Sequence, residues 1–178
     1  KIFCCWYALL VLLYPVGTLF SRTNTEEMET QLANTEGKER IGLLIHLTRT
    51  YNEKNPQKAR DYGLEALELL KSFPNEKIRA AALNNISVVY KNLGKQEKAR
   101  TYADESLLVA QKTGDKAGKA AALNSLGKIF GIIGELDQAL NDLSNSLQLF
   151  EELEDKPNSA RTLNDIGNIY WEKSDYPQ

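Results

Sequence analysis

A leucine, a small residue and an aromatic recur along this chain in a fixed order. Leu83-Asn84, Leu123-Asn124 and Leu163-Asn164 are spaced 40 residues apart, and the strings around them read RAAALNNISVVY, KAAALNSLGKIF and SARTLNDIGNIY. Apolar residues fall at i, i+3 and i+7 in each copy: Leu83, Ile86, Tyr90; Leu123, Leu126, Phe130; Leu163, Ile166, Tyr170. That is one apolar stripe on a helix. Ser87, Gly127 or Gly167 sits within each stripe. A glycine inside a helix costs about 1 kcal/mol against alanine, so its use predicts two helix backbones in close approach. Gly94 and Gly134 then end these first helices, since glycine tolerates the left-handed backbone of a helix C-terminus.

A second helix is predicted after each of them. Ala99, Ala103, Ser106, Leu107 and Ala110 mark its buried face, with Ala139, Leu143, Ser146, Leu147 and Phe150 as the counterparts one repeat on. Breaks at Phe73-Pro74-Asn75, Thr113-Gly114-Asp115 and Asp155-Lys156-Pro157 separate the units. A weaker early copy exists. Ala59, Tyr62 and Leu67 lie 40 residues before Ala99, Tyr102 and Leu107, whereas Leu47 and Tyr51 lie 39 before Ile86 and Tyr90. Its turn, near Asn55-Pro56, is therefore one residue shorter. A degenerate terminal unit is expected, because it has a neighbour on one side only. The expected array spans residues 38–178, with units at about 38–75, 76–115, 116–155 and an incomplete 156–178.

The pattern Leu123-x-x-Leu126-Gly127-x-x-Phe130, followed by Gly134, Ala139 and Leu143, resembles the tetratricopeptide repeat. The 40-residue period resembles the long-repeat branch found in kinesin light chains and in exported bacterial signalling proteins. The resemblance implies an all-α fold, a right-handed superhelix of antiparallel helix pairs. It also implies a protein- or peptide-binding scaffold in an exported or membrane-tethered bacterial protein. The alternative it implies is the sensory or dimerising region of a larger signalling protein, a histidine kinase or DNA-binding regulator, whose output domain lies elsewhere. In that fold the first helices line the concave face. Asn84, Asn124 and Asn164 then flank the stripe at a groove-lining place, followed one turn on by Val88, Lys128 and Asn168, and beyond them by Lys91 and Trp171. An amide carries both a donor and an acceptor, so one asparagine per repeat could pair with an extended peptide backbone. The competing reading is that these asparagines bond across the repeat interface and serve stability. Trp171 is read either as an anchor for a partner or as a residue covered by the rest of its unit.

The two ends of the chain behave differently from the array. Ile2 to Leu13 is an unbroken apolar run after Lys1, with Pro15, Gly17 and Ser21 following. This is the pattern of a secretory signal peptide cleaved after Ser21, with an uncleaved membrane anchor over residues 1–21 as the alternative. The array is thus expected outside the cytoplasm, periplasmic or secreted, or held at a membrane through residues 1–21 alone. Residues 22–37 are polar and read as a linker or a leading helix. Lys1 in place of methionine, and a pattern still running at Gln178, read as a piece of a longer chain.

Composition changes this picture little. The 178 residues carry a formal net charge of −2, which argues against nucleic acid as the partner. Both cysteines, Cys4 and Cys5, lie in the apolar run, so the array holds by packing. A single histidine, His46, cannot build a zinc site, and no phosphate-binding glycine loop precedes a helix after a strand. His46 reads as a surface residue and Glu151 to Asp155 as a solvated face. Asn85-Ile86-Ser87 fits a glycosylation sequon but falls inside a predicted helix. No enzyme, cofactor or metal is expected, and the partner is a protein or an extended peptide.

Overall fold

The structure, a computed structural model, describes residues 16–175. Among them are eight α-helices and no strand: α1 (Val16–Ala33), α2 (Gly37–Tyr51), α3 (Pro56–Ser72), α4 (Glu76–Asn92), α5 (Gln96–Thr113), α6 (Lys116–Ile133), α7 (Leu136–Glu152) and α8 (Lys156–Asp175). The apolar run Ile2–Leu13 lies outside the described residues. Residues 22–33 continue α1 without a break from Val16.

Local chemistry explains the boundaries. Asn55 and Asn75 cap α3 and α4, their Oδ1 atoms accepting from Lys58 N and Ile78 N at 3.1 and 3.0 Å, and Pro56 occupies the first turn of α3, where its missing N–H is not needed. Gly114 and Gly134 close α5 and α6 in the left-handed region at φ 67° and 84°. The residue after each returns a hydrogen bond to the preceding turn, Asp115 N to Ala110 O and Glu135 N to Phe130 O, both at 2.9 Å. The end of α7 uses the same geometry with Glu154 at φ 56° in place of a glycine, and Asp155 N donates to Phe150 O at 2.9 Å.

Successive helices pack as antiparallel pairs: α2 with α3, α4 with α5, α6 with α7. The first helices also touch one another across the repeats, α2 to α4, α4 to α6 and α6 to α8, whereas α3, α5 and α7 do not. First helices therefore form the inner layer and second helices the outer one. One apolar core runs from α4 to α8 through Ile86, Leu126, Phe130, Leu143 and Ile169. The expected close approaches are present at Ser87 and Gly127 but not at Gly167, where a Cβ would meet nothing within 4 Å. Ser87 Oγ donates to Ala99 O at 2.7 Å. A Cβ on Gly127 would stand 2.6 Å from Leu143 Cγ and 3.0 Å from Ala139 O. A second rung ties each pair further along, with Ser106 Oγ donating to Ala80 O at 2.8 Å and Ser146 Oγ to Ala120 O at 2.7 Å.

Candidate functional site

The inner layer encloses a groove of about 730 Å³. Its lining comes from all four first helices. Thr48 and Arg49 belong to α2 and Asn52 caps its end, Ala81, Asn84, Asn85 and Val88 belong to α4, Ala121, Asn124 and Lys128 to α6, and Arg161 and Thr162 to α8. The small side chains at 81 and 121 follow from the repeat register and leave the floor open. The groove also carries amides, hydroxyls and charges of both signs, with Arg49, Lys77, Lys128 and Arg161 among its lining residues as well as Glu53, Asp115 and Asp155.

The asparagine ladder divides into three environments. Asn124 is tied across the repeat interface, its Nδ2 donating to Thr162 Oγ1 at 3.1 Å and to Asp165 Oδ2 at 3.4 Å. Thr162 in turn donates to Asn158 O at 2.9 Å. Asn84 lines the groove, yet its Oδ1 is buried without a hydrogen-bond partner. One repeat on from α4, the place that Thr162 holds beside Asn124 is occupied by Ala122, which offers no hydroxyl. Asn164 is exposed and does not line the groove. Val88 and Lys128 do line it; Asn168, Lys91 and Trp171 do not.

Lys128 pairs with Asp165 at 3.1 Å, and Lys91 lies close to both. Burial, then the neighbouring Lys128 charge, lowers the Lys91 ammonium below its usual value, and Asp165 opposes them. Asn52, Arg49, Arg161, Thr162 and Asp165 were not singled out in the sequence. Arg161 could have been, since it stands 40 and 80 residues after the floor alanines Ala121 and Ala81.

The other features of interest have ordinary places. His46 is exposed on α2 beside Thr50, Nδ1 to Oγ1 3.2 Å. Ser87 of the sequon is fully buried. Glu151 to Glu154 are exposed, and Glu152 pairs with Lys116 at 3.2 Å. Among the described residues no group of His, Cys, Asp or Glu gathers to hold a metal ion, and no helix is long and apolar enough to cross a membrane.

A sequence profile of the tetratricopeptide repeat matches residues 78–144 and 120–178, together more than half of the chain. The chain belongs to the tetratricopeptide repeat family. None of the curated proteins matches it significantly. Several solved structures share the fold. BtubC (BKLC) from P. vanneervenii is 20% identical with a TM-score of 0.72, covering 87% of this chain and 67% of that one. A Rap protein complexed with Competence and Sporulation Factor is 19% identical with a TM-score of 0.78, and the match covers 85% of this chain but 43% of the Rap protein. A kinesin light chain-like repeat protein from Podosopora anserina is 14% identical with a TM-score of 0.67, covering 87% and 79%. At these identities the likeness is one of fold, the all-α superhelix of antiparallel pairs. This tetratricopeptide repeat array spans less than half the length of the Rap protein.

Proposed function

We propose that the array is a non-catalytic scaffold that holds an extended segment of another protein in its inner groove. The observation that carries this reading is the continuity of the groove. Four first helices contribute to its lining, with Ala81 and Ala121 on α4 and α6 and amide, hydroxyl and charged side chains beside them, a set of donors and acceptors that suits main-chain recognition of an extended peptide. The Rap protein's complex with Competence and Sporulation Factor supports it, as a case of this fold holding a ligand. The test is binding on a peptide array by the parent and by Ala121→Arg, which fills the floor without touching the core stripe. Loss of partners at an unchanged melting temperature supports the groove. Retention of every partner sinks it.

We further propose that the scaffold works outside the cytoplasm of a bacterium, exported or tethered through residues 1–21. Lys1, the run Ile2–Leu13 and the small residue Ser21 support this. Intact mass and fractionation decide it. A product starting near Arg22 means export, and an uncut product in the membrane fraction means an anchor. An uncut product in the soluble cytoplasm overturns both.

A further inference from the structure

The second helices do not touch one another, so the outer face is furrowed between them. Between α5 and α7 the furrow opens into a cavity of about 340 Å³, with Leu107, Leu123, Leu126 and Phe130 as its apolar wall and Asp142 in its lining. A buried carboxylate breaks the pattern of the repeat. In the same register the two earlier units carry Tyr62 and Tyr102. Tyr62 lies 5.9 Å from Tyr51 and Tyr102 stacks on Tyr90 at 5.3 Å, ring centre to ring centre. Those units also carry a lysine one turn earlier. Lys58 Nζ lies 4.6 Å from the Tyr51 ring centre, and Lys98 Nζ lies 5.6 Å from that of Tyr90. Each unit thus sets its own ammonium over its own ring, a favourable pairing of a cation with a π face. In the third unit the ring is Phe130, but the lysine's place holds Gln138 and the tyrosine's place holds Asp142.

That exchange removes a cation and adds an anion at one spot. Asp142 is 6% exposed. Its Oδ1 accepts from two neutral amides, Gln138 Nε2 at 3.2 Å and Asn141 Nδ2 at 3.3 Å, and no described residue donates to its Oδ2. Arg100 is engaged elsewhere, its guanidinium 5.1 Å from the Phe130 ring centre and its Nε 3.8 Å from Asp104. The lining carries Asp104, Glu135 and Asp142 against Arg100. A buried charge is costly unless it is paired, and a chain that breaks its own local rule without compensation does so most often at a functional site. We infer that the cleft between α5 and α7 binds a lysine side chain of a partner protein, its ammonium on Asp142 beside the Phe130 ring and its methylenes along Leu107 and Leu123. Two observations fix the occupant: the unpaired negative charge of the lining, and the residue type that the chain itself uses in this place in its first two units. The site is on the outer face, away from the inner groove, and does not rest on the groove reading.

The test titrates the full chain with Nα-acetyl-lysine amide and follows the NMR resonances of the Asn141 side-chain amide, which donates to Asp142. Saturable shifts are expected, and none with the same compound acetylated at its side-chain nitrogen. Asp142→Asn removes a charge that burdens the free protein, so the variant stays folded. It is expected to weaken the probe by about tenfold or more, the scale of one charge-assisted bond. Gln138→Lys leaves Asp142 in place and restores the lysine of the earlier units, so its own ammonium should fill the site and shut the probe out. Absence of saturable shifts in the parent, or binding by either variant equal to the parent's, overturns the proposal. Tighter binding of the free diamine cadaverine than of the blocked lysine overturns the partner protein as the source of the ammonium.

Discussion

At the scale of single residues, positions 84 and 124 are one place in two repeats with opposite physics. Asn124 spends its amide on Thr162 and Asp165. Its replacement by alanine removes those bonds and is expected to cost about 0.5–1.5 kcal/mol, the usual net worth of one hydrogen bond. Asn84 holds a buried oxygen without a partner, so Asn84→Ala is expected to leave the urea midpoint unchanged or to raise it. Equal losses in the two variants would show that Asn84 has a partner in solution. Asp142, on α7, offers a second contrast. It is buried, and that burial raises its pKa from the ordinary 3.8, with Asp104 adding to the shift and hydrogen bonds from Gln138 and Asn141 opposing it. A carboxyl whose folded pKa exceeds its unfolded one binds more protons in the folded state. Stability therefore falls as pH rises out of the unfolded carboxylate range and stays lowered above the folded value. Asp142→Asn keeps the acceptor for Gln138 and removes the charge. It should raise the urea midpoint at neutral pH, with the gain vanishing below about pH 3.8. A gain of the same size at both pH values would remove ionisation as its cause.

At the scale of helices, boundaries and contacts follow from the position of a few small residues. Gly127 faces Leu143 and Ala139 O too closely for a methyl. Gly127→Ala should thus lower stability by about 1–3 kcal/mol through overpacking, despite its better helix propensity. Glu154 has the left-handed backbone that Gly114 takes one repeat earlier. A side chain there costs roughly 1–2 kcal/mol, so Glu154→Gly should stabilise by a part of that. Opposite signs for a glycine removed and a glycine added are the expected outcome in thermal melts, and a loss in both would show that Glu154 is held by contacts beyond its backbone. This is also where sequence reading reached furthest. The period, the stripes, the small residues within them and the two-helix unit were all legible, because one register repeats three times. The groove was legible only in part. Its floor follows from the register, but Asp165 and Thr162 matter through their reach to Asn124 on a neighbouring helix, and no single helix displays that. Asn164 shares the ladder's register and still lies outside the groove, because lining depends on which neighbours stand opposite it.

At the scale of the whole molecule, an array is held by contacts between neighbours, so its two ends set its limits. The N-terminal end is closed by α1. Leu32 and Met28 pack against Leu44, Leu47 and Ala66. Glu29 pairs with Lys58 and accepts from the Tyr62 hydroxyl at 2.7 Å, while Lys58 Nζ lies 4.6 Å from the Tyr51 ring centre. Burial and the hydrogen bond to Glu29 push Tyr62 up to about 12. Burial opposes ionisation of Glu29, but hydrogen bonds from Lys58, Tyr51 and Tyr62 outweigh it and lower its pKa from 4.5. A carboxylate with a lowered folded pKa contributes stability that is present above its unfolded value and is lost as pH falls through the folded one. The attachment of α1 should therefore weaken below about pH 4.5, and Glu29→Gln should reproduce that weakening at neutral pH. Hydrogen–deuterium exchange reads it directly, because local opening reports each element separately. Faster exchange confined to residues 25–33 is expected, with α4 to α6 unchanged, since α1 lies against the first unit and does not reach the later ones. A parallel loss of protection in α4 to α6 would mean that the array opens as one body, with α1 as part of its nucleus and not a detachable end.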